Sequence, residues 1–303
     1  MRVNFQGVEF SRATGPSTFA TRLATQLSHQ GHIIADPDDY DVGLAFIEST
    51  PEQAKPFALR LDGIWCDSKD NPANIAIQNS YNNSDHIIFQ SEFDRTLIEK
   101  WWGPREKASV IHNGIDLTQI FTERETLFEL KSRYEKVFVC SANWHTGKRL
   151  RQNIELFIQL RRDHYPYSCL VVMGDHPDVM AADQNIYYTG SLPAEVCLEF
   201  YSIADWMIHL GWLSHCDNTV VEALSQGCPV IHSSSGGNRE IICANGLMLQ
   251  ETAEYDFLPV DWRSPPLLDL TQVGRLPDIT VDASHLDIRT VAHKYAAVLQ
   301  SLL

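Results

Sequence analysis

The residues best suited to chemistry lie in loops that follow apolar runs. After "VFVCS" (137–141) comes "NWHTGKRL", which brings Lys148 and Arg149 to the expected start of a helix. Cations there oppose the helix dipole, by about 0.3–1 kcal/mol when exposed. Such a placement makes sense if an anion sits between the amines and the free N–H groups of the helix; two solvated surface cations are the plain alternative. A second loop, in "HCDNTVVEALSQGCPVI" (215–231), leads into a short helix with Glu222 in its first turn. "TVVE" (219–222) fits a capping box, in which Thr219 and Glu222 satisfy each other's backbone N–H groups. On spacing alone that reading leads, although Cys216, Asp217 and Asn218 add polar groups beside a strand end. "PVIHSSSGGNREI" (229–241) repeats the layout of strand, polar loop and helix start.

The first half offers less. In "RATGPSTF" (12–19), Gly15 would let a ligand approach the backbone, and Ser17 or Thr18 can cap a helix; an ordinary loop has the same composition. "LRLDG" (59–63) ends a strand with Arg60 and Asp62, either a pair able to orient or deprotonate a hydroxyl or a structural ion pair. Familiar motifs fail. "ANWHTGK" (142–148) lacks the first Gly of a P-loop, and Arg149 stands where the magnesium-holding Ser/Thr belongs. No G-x-G-x-x-G follows a strand, and neither H-E-x-x-H nor G-x-S-x-G occurs. Hydride transfer on a dinucleotide fingerprint and zinc hydrolysis therefore lose ground. The twelve histidines form no triad or metal spacing, and His112 and His232 are expected inside strands.

These residues must be positioned by a chain of 303 residues with 44% apolar content, enough for a real core. The formal charge of −15, from 24 Lys+Arg against 39 Asp+Glu, argues against nucleic acid or an anionic membrane as partner. The seven cysteines are scattered without a C-x-x-C pair, which suits free thiols in a reducing compartment. "MRVNFQGVEF" has no apolar signal region, and no run approaches the ~18–20 residues of a membrane span, so a cytoplasmic location is expected.

About eleven short apolar runs alternate with helical patterns such as 17–31, 91–102, 148–163 and 218–227. Such alternation implies parallel sheets covered on both faces, and eleven strands exceed one ordinary sheet. The expected architecture is α/β, with two doubly wound domains, 1–117 and 118–284, parting within the polar stretch 113–126. Residues 261–280 are Pro-interrupted and irregular, and a last helix at 285–303 is expected to cross back to the first domain. Ligands of open α/β sheets bind beyond the carboxyl ends of the strands, which puts the site in the cleft between the domains.

Together these segments resemble retaining glycosyltransferases of the GT-B fold (two Rossmann-like domains facing across a cleft), most closely glycosyltransferase family 4. The main carrier is "DNTVVEALSQGCPVIHSSSGGNREII" (217–242), similar to that family's Glu-Ala helix, Pro-Val-Ile strand and Gly-Gly-x-x-Glu turn. "VIHNGID" (110–116), "SANWHTGKRL" (141–150), "IYYTGSL" (186–192) and "QNSYNNSDHIIFQSEF" (78–93) match further family segments. The resemblance implies transfer of a sugar from a UDP- or GDP-sugar to a hydroxyl of a glycan or glycoconjugate acceptor, without a cofactor or bound metal. Glu222 would bind the ribose hydroxyls, and Lys148, with Arg149, would neutralise the diphosphate. N–H groups of Asn218, Thr219 and Val220 would meet the sugar or its phosphate. Gly190 and Leu192 would line the base pocket, and Gly15 would approach the diphosphate. Two positions depart from the family: Ser214 replaces a Glu eight residues before Glu222, with Asp217 or Cys216 as substitutes, and Asn143 replaces an Arg five before Lys148. A non-catalytic nucleotide-sugar-binding protein and a sugar-nucleotide epimerase of the same fold are the alternatives. A homo-oligomer is left open.

Overall fold

Apolar runs buried on both faces form the central strands, and the amphipathic stretches between them form covering helices. The computed structural model describes residues 1–12, 14–50, 55–68, 70–119, 125–175 and 183–303. Among these, β1 (Arg2–Gln6), β2 (Ile33–Ile34), β3 (Val42–Phe46), β4 (Phe57–Leu61), β5 (His86–Phe89) and β6 (Ala108–Val110) make one parallel sheet, ordered β2-β1-β3-β4-β5-β6. A second parallel sheet is ordered β12-β11-β10-β7-β8-β9. Its strands are β7 (Lys136–Ser141), β8 (Ser168–Met173), β9 (Ile186–Gly190), β10 (Trp206–His209), β11 (Val230–Ser233) and β12 (Gly246–Leu249). The strand order reverses between β1 and β3 in the first sheet and between β7 and β10 in the second. Ligand crevices of doubly wound sheets lie at such switch points.

The helices are α1 (Gly15–His29), α2 (Pro72–Asn83), α3 (Glu92–Trp102), α4 (Glu125–Arg133), α5 (Leu150–Asp163), α6 (Ala194–Ile203), α7 (Asn218–Ser225), α8 (Asn238–Ile242) and α9 (Ile288–Gln300). α1 starts where Thr14 accepts the Ser17 N–H and a proline sits in the first turn, the usual grammar of a helix N-terminus. β12 was not among the expected strands. His112 falls beyond β6 rather than inside it, whereas His232 lies in β11 as expected. Residues 261–280 hold only a short 3₁₀ turn, Leu270–Gln272.

The expected return of the last helix is seen directly. Ile288, Val291, Tyr295 and Leu299 of α9 are buried in the same core as Val3, Phe19, Leu23 and Phe46 of the first sheet and α1. Each such side chain contributes about 1.5–3 kcal/mol when fully buried. The outgoing and returning strands of chain run side by side, with Ile115 N donating to Leu286 O and Ile288 N to Ile115 O, both at 2.9 Å. Gly114 permits this approach: a Cβ there would lie 2.9 Å from Val291 Cγ2. Part of the polar stretch 113–126, the expected break between domains, falls outside the described residues.

Candidate functional site

At the switch point of the second sheet, the loop after β7 meets the loop after β10. The first makes a 3₁₀ turn, Thr146–Lys148, then a kink at Arg149 (φ 53°) before α5 begins. The kink sends the two cations apart. Lys148 Nζ reaches Asp217 Oδ1 at 2.6 Å, Oδ2 at 2.8 Å and Ser214 Oγ at 3.0 Å. Asp217 also meets His209 Nε2 at 2.6 Å and accepts from Asn238 Nδ2 at 2.9 Å. Burial alone would raise the Asp217 carboxyl, but Lys148 and His209 outweigh it and hold it well below the usual carboxylate range. Asp217 is the N-cap residue of α7 yet makes no capping hydrogen bond. The cap residue is thus Asp217, not Thr219, and the Thr219–Glu222 capping box that spacing alone favours does not form.

Arg149 departs from the expectation of a phosphate-facing cation. Its guanidinium is 1% exposed, bonded twice to Glu251 at 2.7 and 2.9 Å, and donates to Leu210 O and Pro266 O. A left-handed backbone at a non-glycine residue costs about 1–3 kcal/mol; this network holds it. Arg149 therefore shapes the loop that presents Lys148.

α7 faces the first sheet. Asn218 Nδ2 donates to Gly15 O at 2.9 Å, so the starts of α7 and α1 touch. Asn113 joins the halves further: it accepts from Arg60 Nη2 (2.7 Å) and donates to Asn218 Oδ1 (2.9 Å) and Cys216 O (3.1 Å). Arg60 is buried, stacked on Phe19 at 4.5 Å and paired with Asp62, which also accepts from Gln90 at 2.7 Å. Of that pair only Asp62 keeps access to solvent, at 15%. Thr219 is half-buried, and the Val220 N–H is already taken by Asp217 O at 3.1 Å.

Glu222, one turn into α7, is 8% exposed and bonds across the cleft to Arg22 of α1, Oε1 to Nη2 at 2.5 Å. Burial raises its carboxyl above the usual range, and Arg22 opposes that rise. Gly190 ends β9 with φ 68°, beside Asp175, whose carboxylate takes the Ser191 N–H and Oγ at 3.0 and 2.9 Å. Leu192 packs into the cluster that holds Val220 and Val221 of α7. Asn143 is exposed at the end of β7.

Lys148, Asp217, Asn218, Glu222 and Gly15 thus converge, whereas Arg149 and Arg60 turn inward. Sequence reasoning missed Arg22, Asn113, His209 and Asn238. His209 and Asn238 carried a signal, a polar residue at a strand's carboxyl end and another opening the next helix. Among the described residues no group of three or more His, Cys, Asp or Glu is placed to hold a metal, and no helix is long and apolar enough to cross a membrane. All seven cysteines are free thiols.

Two doubly wound sheets with a helix returning to the first define the GT-B architecture of glycosyltransferases. Solved structures agree. HepE of Anabaena, in complex with UDP and glucose, superposes with TM-score 0.70 over 100% of both chains at 15% identity. Sucrose-phosphate synthase of Thermosynechococcus elongatus gives 0.67 over 99% of this chain and 94% of that one at 12% identity. WaaG, a glycosyltransferase involved in lipopolysaccharide biosynthesis, gives 0.62 over 98% and 92% at 13%. Residues 135–257, which span β7 to β12, match the family Glycosyl transferases group 1. No curated protein matches the chain.

Proposed function

We propose that the protein is a retaining glycosyltransferase that moves a sugar from a nucleoside diphosphate sugar to a hydroxyl of a glycan or glycoconjugate. One observation carries this reading: Lys148 and the N-terminus of α7 meet at the switch point, with Glu222 one turn further along the same helix. That is the layout a nucleoside diphosphate needs, with a cation and helix dipole for the phosphates and a carboxylate for hydroxyls. Lys148 would exchange Asp217 for the diphosphate and stabilise it as the C1–O bond breaks, electrostatic work that a fixed cation does well in a closed cleft. The acceptor oxygen would attack the same face, its proton passing to the departing phosphate oxygen, with Asp62 orienting that hydroxyl and Arg60 holding Asp62. Gly190 and Leu192 would border the base, and Gly15 the diphosphate. We assign charge compensation to Lys148 and α7 rather than a metal, divide the domains at 117/118, and expect a cytoplasmic enzyme.

Lys148→Ala should lower kcat by about 10²–10³, and Glu222→Ala should raise the donor KM by about 10–100-fold. Circular dichroism would show that both variants fold, and full activity in both would sink the reading. A second reading, a non-catalytic nucleotide-sugar binder, draws on Ser214 and on the neutralisation of Lys148 by Asp217. Donor binding by calorimetry with neither transfer nor hydrolysis would favour it.

A further inference from the structure

Arg22 of α1 carries no role in the proposed sugar transfer. It lies seven residues beyond Gly15 in α1, and Glu222 lies four beyond Asn218 in α7, while Gly15 and Asn218 are hydrogen-bonded. The two helices therefore bring Arg22 and Glu222 together from residues 200 apart. Only one terminal nitrogen of Arg22 is used: Nη2 meets Glu222, whereas Nη1 is buried without a hydrogen-bond partner among the described residues. A buried donor of a charged group left unpaired is costly, so native proteins rarely keep one without a reason.

An ionised carboxylate can only accept hydrogen bonds, and a guanidinium can only donate. A vicinal diol needs both, because each hydroxyl offers a proton and lone pairs. We propose that Arg22 is a ribose-recognition residue. Glu222 accepts hydrogen bonds from the 2′,3′-diol of a nucleoside diphosphate, and the free N–H groups of Arg22 donate to its oxygens. Because Arg22 belongs to the first sheet's helix, the same contact makes nucleotide binding hold the two halves together. This rests on the reading of Glu222 as the ribose ligand.

The test is calorimetry on the full chain with UDP, GDP and their 2′-deoxy counterparts. The native protein should bind one of the ribonucleotides and disfavour its deoxy form. Arg22→Ala should weaken the ribonucleotide about 10–100-fold while hardly changing the deoxy form, so that discrimination collapses. Arg22→Lys should restore part of it, and Arg22→Met, which keeps the stem's packing, should behave like the alanine variant if that one folds poorly. Equal or tighter ribonucleotide binding by Arg22→Met would overturn the proposal, since it would make the ion pair a bridge that the nucleotide has to break. If the native protein binds neither diphosphate, or Glu222→Gln binds the ribonucleotide unchanged, the ribose reading itself fails and Arg22 falls with it.

Discussion

Asp217 and Arg149 show how neighbouring charges take opposite jobs. Asp217 gathers Lys148, His209 and Asn238 around one carboxylate at the mouth of the crevice. Arg149, next in sequence to Lys148, is drawn into the interior by Glu251, itself 5% exposed. Removing one member of a buried ion pair leaves an uncompensated charge, at about 3–5 kcal/mol. Glu251→Ala should therefore lower the urea midpoint strongly, and it should also raise the donor KM because the kink that aims Lys148 relaxes. A stability loss within experimental error would show that the pair is not what holds the loop.

At the scale of elements, helix ends connect the two sheets. The N-terminus of α3 is capped from the other half of the molecule: Glu240 of α8 accepts the N–H groups of Glu92 (2.7 Å) and Phe93 (2.9 Å), with His112 Nε2 3.3 Å away. Burial works to raise Glu240, yet His112 and these two N–H groups hold it below the usual carboxylate range. Losing a cap costs about 0.5–2 kcal/mol. Glu240→Ala should therefore destabilise by that order, and the Glu92 and Phe93 amides should exchange faster while those of α5 stay protected. Unchanged exchange at Glu92 and Phe93 would mean that water replaces the carboxylate at no cost.

For the whole molecule, the joint between the halves contains a titratable pair. His215, in the loop before α7, pairs through Nδ1 with buried Asp94 of α3. Its ring lies so close to Gly63 that a Cβ there would collide with it, and Gly63 has φ +106°, a conformation that favours glycine. Burial pulls the imidazole pKa down, but Asp94 and more distant Asp217 push it up against Lys148, and the net shift is upward. The pair's stabilisation is therefore complete below the unfolded value of about 6.5 and is lost as pH rises through the higher folded value. The urea midpoint of the native protein should fall over that alkaline side, and His215→Asn should flatten the dependence. A parallel decline in both proteins would assign it to other groups.

The sheets, the returning helix and the segments holding Lys148 and Glu222 were legible in the chain. Strand runs and helix starts are local patterns, and parallel topology puts ligand-binding loops after the strands. Ser214 and Asn143 were legible as departures only through the resemblance to family 4 glycosyltransferases. The partners of those side chains were not. Nothing near Arg22 marks it as the neighbour of Glu222, and "KR" gives no sign that Lys148 faces the cleft while Arg149 is buried with Glu251. The Arg22 contact depends on how two separately wound sheets meet through Asn113, and the Arg149–Glu251 pair on how the loops after β7 and β12 meet within the second sheet. Tertiary packing alone decides that, because backbone periodicity determines which face of an element is apolar but not which distant element it will meet.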